Sequence, residues 1–112
     1  MKSFEIAKKT QDKMKKLLES DVPFIILYHW KQCGHCIALM PVWKKFVLHS
    51  KMPSCSVEYS NIELLPTKLK DVRGFPTIQI IKKGKVINNY MGDRSEASLV
   101  EFVKKYLPVH NS

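Results

Sequence analysis

The stretch WKQCGHCIALMPVW, residues 30–43, carries two cysteines, Cys33 and Cys36, with Gly34 and His35 between them. Directly before it, PFIILYHW (23–30) is a dense apolar run of strand length. Such a run predicts a strand buried on both faces, as in a parallel sheet. Directly after it, Cys36, Leu39, Met40, Trp43, Phe46 and Val47 recur at helical spacing to about Ser50. Pro41 lies inside that stripe and predicts a kink, because it removes a backbone donor and crowds the previous turn. The first cysteine therefore falls where a buried strand gives way to a helix.

Outward from this junction, Ser3 is a candidate cap for a long helix reaching about Ser20, with Phe4, Ala7, Met14, Leu17 and Leu18 on one face. SCSVEYS (54–60) alternates enough for a strand, and residues 61–72 read as a short helix or irregular segment around Pro66. Thr77–Lys82 and Lys85–Met91 predict two strands joined by a tight turn at Lys83–Gly84. Ser95 caps a last helix with Leu99, Val100, Val103, Tyr106 and Leu107 inward. That order calls for one central sheet with helices on both faces.

The 112 residues suit one domain, 1–112, and an apolar content of 45% supports a core without disulfide staples. Three cysteines leave an odd thiol in a monomer, and a monomer is expected. No apolar run is long enough for a membrane span. The start, MKSFEIAKK, has no apolar stretch behind its lysine, so the expected compartment is the cytoplasm, with packaging into an organelle or particle as the alternative. The formal charge of +9 comes from lysines spread in pairs, the pattern of solvated faces. Arginine occurs only as Arg73 and Arg94, and no base-reading motif is present, so nucleic acid is not an expected partner.

The cysteine pair admits three chemistries. Structural zinc normally takes four soft ligands. Here Cys55 and one of His29, His35, His49 or His110 would have to complete the set, at spacings that match no familiar pattern. A purely structural disulfide closing so short a loop removes little unfolded-state entropy. A redox pair explains more. At a helix N-terminus, free backbone N–H groups and the helix dipole favour a Cys33 thiolate. Cys36, one turn on and facing inward, is placed to attack a mixed disulfide. His35 adds a donor and, when protonated, a positive charge. Both favour the reduced form and make the disulfide a stronger oxidant. Cys55, on the second predicted strand, is expected to be an inert core thiol.

The buried strand, Cys33-Gly34-His35-Cys36, Pro41 five residues on, Arg73-Gly74-Phe75-Pro76-Thr77 and the glycine-centred hairpin together resemble a thioredoxin domain over residues 22–108. The inner Gly-His dipeptide is similar to that of the protein disulfide isomerase branch. The resemblance implies a thioredoxin fold and thiol–disulfide exchange with protein thiols and disulfides, with Cys33 as nucleophile and Cys36 as resolving thiol. It implies a cis bond before Pro76, facing the disulfide, and a substrate groove including Phe75 and Gly74. It also implies that Arg94 swings toward the site and lowers the pKa of the resolving cysteine.

Departures from the family pattern qualify this. Gln32 stands where Trp is usual before the first cysteine, with Trp30 two residues earlier; both border the expected substrate surface. Leu27 stands where the family buries an acid, and Tyr59 is the expected replacement for that acid's lysine partner. The opening edge strand has no visible counterpart, so the expected sheet has four strands, two parallel and a hairpin antiparallel. No metal or bound organic cofactor is expected beyond the Cys33–Cys36 couple; a reductase, an oxidase or glutathione would reset it. The alternative function is an interaction or chaperone module with little redox turnover.

Overall fold

The computed structural model describes residues 3–107. In chain order it comprises β1 (Phe4–Glu5), a 3-10 turn (Lys8–Thr10), α1 (Gln11–Glu19), β2 (Phe24–His29), α2 (Gly34–His49) and β3 (Ser54–Glu58). Two 3-10 turns follow, Tyr59–Leu64 and Thr67–Leu69, and then β4 (Thr77–Lys82), β5 (Lys85–Asn89) and α3 (Glu96–Lys104). The strands form one five-stranded sheet in the order β1-β3-β2-β4-β5. β1, β3 and β2 run parallel, and β4 and β5 are antiparallel.

The sheet is held at its centre by β2, the apolar run of residues 23–30. Ile25, Ile26, Leu27 and Tyr28 are wholly inaccessible. Alternation sends Ile26 and Tyr28 toward α1, where they meet Met14, Leu17 and Leu69. Ile25 and Leu27 face the other way, onto Leu39, Trp43 and Phe46 of α2 and Leu99 of α3. Pro41 lies within α2, whose helical span continues unbroken to His49. The β4–β5 turn has positive φ at Lys83 (53°) and Gly84 (76°), the geometry that matches strand twist in a two-residue hairpin. Ser95 caps α3 by accepting the Ser98 N–H at 3.2 Å. The helix ends at Lys104, and Tyr106 and Leu107 pack on the core from beyond it.

Two expectations are corrected. The sheet has five strands, because residues 4–5 pair with Cys55 and Ser56 as the edge strand β1. The first helix is accordingly short. Thr10 ends the strand-to-helix connection: its hydroxyl accepts the Ala7 N–H at 2.8 Å and donates to the Glu5 carbonyl at 2.8 Å. Phe4 and Ala7 happen to be in phase with Met14, and so mimic a longer helical face. Ile6, off that face, is the residue that becomes buried.

A buried polar anchor ties the sheet to the irregular segment before β4. The Tyr28 hydroxyl donates to the Leu69 carbonyl at 3.0 Å. Tyr28→Phe leaves that carbonyl without its donor. The expected loss is about 1 kcal/mol, read from urea denaturation; an unchanged midpoint would show that the bond contributes nothing.

Candidate functional site

β2 delivers the chain at Trp30 to the outer end of α2. The Cys33 N–H donates to the Trp30 carbonyl at 3.0 Å, which closes the connecting turn. Cys33 is then the N-cap of α2, in extended conformation, with its own carbonyl accepting the Ile37 N–H at 3.1 Å. Its side chain does what a capping oxygen would do: Sγ accepts the Cys36 N–H at 3.2 Å. The Cys33 thiol also points at the Phe75 carbonyl, 3.5 Å away. Both thiols are free.

The two sulfurs are driven in opposite directions. Partial burial pushes the Cys33 thiol up. Hydrogen bonds from the Cys36 side chain and backbone and from the His35 backbone, with the Arg94 charge, more than offset this and hold it below the ordinary thiol value. Burial, reinforced by the bond to Cys33, pushes Cys36 up to about 11. Cys36 is 2% exposed, whereas Cys33 is partly accessible. His35 thus contributes through its backbone amide; its imidazole is exposed and makes no hydrogen bond among the described residues.

The Phe75–Pro76 peptide bond is cis. Phe75 lies beside Cys33 through its carbonyl, and Thr77 fixes the preceding turn by donating to the Gly74 carbonyl at 2.7 Å. Gly34 and Gly74 both face open space, where a Cβ would meet nothing. Gln32 is exposed and leaves the approach to Cys33 polar. Arg94 is exposed and lines a cleft of about 430 Å³ with Leu39, Pro76, Thr77 and Tyr90. At Gly92, two residues before it, a Cβ would lie 2.7 Å from the Tyr90 hydroxyl, so a side chain there would displace the Tyr90 ring. A larger cavity of about 700 Å³ opens at the far end of the sheet, between the C-terminal ends of α2 and α3, away from both cysteines.

Three rings gather beside Cys33. Trp30 and Tyr59 centroids are 5.6 Å apart, Trp30 and Phe75 6.2 Å, and Tyr59 and Phe75 5.7 Å. Glu58, which the sequence did not single out, fixes this cluster. Its carboxylate accepts the Lys31 N–H at 3.1 Å, the Ser60 N–H at 2.8 Å and the Ser60 hydroxyl at 2.6 Å. One side chain therefore pins the backbone just after Trp30 and just after Tyr59. Burial opposes its ionisation, but the Ser60 and Lys31 donors prevail and depress its pKa to about 2.

Tyr59 is not the partner of Leu27 in the core. β3 ends at Glu58, so Tyr59 leaves the sheet and is 56% exposed. The residue across from Leu27 is Ser56, whose hydroxyl bonds to Glu5. Leu27 itself is fully buried, so the site of the usual acid is apolar. Cys55 is buried on the α1 side of the sheet, away from the pair, and burial holds its thiol far above the ordinary value. Among the described residues no three His, Cys, Asp or Glu side chains gather to hold a metal, and no helix is long and apolar enough to cross a membrane. His110 lies outside the described residues.

The family profile described as Thioredoxin matches residues 5–105. A thioredoxin domain-containing protein 5 homolog of Drosophila melanogaster is 30% identical over 104 residues, 87% of this chain and 24% of its own length. Protein disulfide-isomerase erp38 of Neurospora crassa is 30% identical over 106 residues, 88% of this chain and 28% of its own. The chain thus spans about a quarter of the length of these relatives. A thioredoxin mutant from Halobacterium salinarum superposes with a TM-score of 0.76 at 16% identity, covering 97% of this chain and 94% of that one, a likeness of fold. With the fold, the profile and the paired cysteines in agreement, the chain belongs to the thioredoxin family.

Proposed function

We propose that the chain is a thiol–disulfide oxidoreductase that exchanges disulfides with polypeptides through Cys33 and Cys36, in the manner of a disulfide isomerase or oxidase. The observation that carries this is the Cys33 sulfur at the start of α2, 3.2 Å from the Cys36 N–H, with Cys36 buried behind it. The Cys33 thiolate attacks one sulfur of a substrate disulfide; the other sulfur leaves as a thiolate and takes up a proton. Cys36 then gives up its proton and attacks the Cys33 sulfur. The substrate's second sulfur leaves, two electrons have passed to the substrate, and the chain holds a Cys33–Cys36 disulfide. Run backwards, the same steps oxidise a substrate dithiol. A depressed Cys33 pKa stabilises the reduced chain and so makes its disulfide the more oxidising. The chemistry needs no metal or organic cofactor, and a reductase, an oxidase or glutathione resets the pair.

A second reading, an interaction module with slow turnover, is favoured by the high pKa of Cys36 and by the apolar, fully buried Leu27 where the family has an acid. Resolution then depends on Arg94, whose charge favours both thiolates.

Alkylation of the reduced chain should modify Cys33 first. Its rate should rise with pH through a midpoint below the ordinary thiol value, because a lowered pKa populates the thiolate at lower pH; Cys36 should stay protected until near pH 11. A free-cysteine profile at Cys33 would contradict the thiolate assignment. Insulin reduction should be present in the wild type and abolished in Cys33→Ser, while Cys36→Ser should accumulate mixed disulfides; turnover surviving Cys33→Ser would place the chemistry elsewhere. Arg94→Ala should slow resolution of a mixed disulfide by roughly 3- to 10-fold, as loss of one partly screened charge predicts, and stopped-flow traces matching wild type would remove Arg94 from the mechanism.

A further inference from the structure

We infer that Trp30, Tyr59 and Phe75 form a specificity wall that receives an aromatic side chain next to the attacked cysteine of an extended polypeptide, with Tyr59 as its discriminating residue. The inference rests on the exchange reading above.

Exposed apolar residues scattered singly need no explanation, but a contiguous cluster marks a contact surface. Here Trp30 is 36% exposed and Tyr59 56%, and both touch the ring of Phe75. The cluster is continuous with the reactive centre, since the Phe75 carbonyl lies 3.5 Å from the Cys33 sulfur. Its occupant is therefore fixed by the chemistry. Whatever is disulfide-bonded to Cys33 must lay its adjoining residues along Phe75. The wall's three rings meet at tilted or edge-on angles of 50°, 49° and 89°. That leaves ring faces and edges free for a fourth ring in the same preferred geometry. The Tyr59 hydroxyl has no protein partner among the described residues, so its tip stays in water while its ring is available. The wall is rigid before substrate arrives, because the Glu58 carboxylate holds the backbone at Lys31 and at Ser60. A preformed aromatic surface loses little conformational freedom on binding. Gln32, the residue before Cys33, is exposed and polar and offers no comparable surface.

The test uses the reduced full chain and two disulfide-cyclised peptides that differ only in Phe or Ala beside the attacked cysteine. Second-order rate constants for peptide reduction are measured, with glutathione disulfide as a small substrate lacking any aromatic group. The Phe peptide should react roughly 3- to 10-fold faster than the Ala peptide. Tyr59→Ala should bring the two rates together, Tyr59→Phe should keep the preference, and neither change should alter the glutathione disulfide rate. Equal peptide rates in the wild type, or a preference that survives Tyr59→Ala, would overturn the wall while leaving thiol exchange intact. No reaction with glutathione disulfide or either peptide would overturn both.

Discussion

The backbone N–H of Cys36 aimed at the Cys33 sulfur is the contact on which the proposed exchange chemistry rests. It exists only because Cys33 is an N-cap, where the first amides of a helix have no carbonyl partners of their own. Cys33 is an N-cap because β2, inaccessible over Ile25–Tyr28, can only end at the edge of the core and must hand the chain to α2 there. The same turn of helix that exposes Cys33 to these donors turns Cys36 inward, onto the side of the core holding Leu39. Helix-end hydrogen bonding and unequal burial thus drive two identical thiols apart, Cys33 below the ordinary thiol value and Cys36 above it. The separation needs no charged residue in the core.

How far the sequence reveals this depends on length of signal. β2, α2 and the β4–β5 hairpin are long or sharply punctuated, and each forms within a residue or two of its expected span. β1 has two residues, too few for alternation to register, and its placement is decided by pairing with Cys55 and Ser56 some fifty positions away. A local helical pattern through Phe4 and Ala7 competes with that pairing and is overruled by it. Tyr59 fails for a related reason. Counting along the chain puts it near Leu27, but the register sets Ser56 opposite Leu27, and one residue after Glu58 the strand is over. Glu58 carries no motif at all. Its three hydrogen bonds join Lys31 to Ser60, a juxtaposition that only the folded sheet creates.

The polar groups near Leu27 are arranged toward the sheet edge. The Glu5 carboxylate lies 3.0 Å from His29 Nε2 and bonds to the Ser56 hydroxyl, linking β1, β3 and β2 in one row. Burial opposes ionisation of Glu5, but the His29 and Ser56 bonds hold its pKa below the ordinary carboxylate value. A two-residue strand gains from side chains what it lacks in ladder length. This row reaches water at Glu5, so its charge needs no partner in the core, whereas a lone acid at position 27 would be expensive to ionise. Leu27 therefore fits a sheet whose charges have been kept at the edge.

That arrangement sets the aromatic cluster apart from the thiol pair. The ionisation of Cys33 and Cys36 is set by the α2 amides, by burial and by Arg94. The aromatic cluster is held by Glu58 through the backbone at Lys31 and Ser60, and it meets the thiols through the main chain of Trp30 and Phe75. Trp30 and Phe75 are common to both: their carbonyls accept from the Cys33 N–H and the Cys33 thiol, while their rings pack on Tyr59 and on each other. Because the shared part is backbone, the rings can vary without moving the sulfur. The aromatic rings are thus free to vary while the N-cap geometry at Cys33 stays fixed.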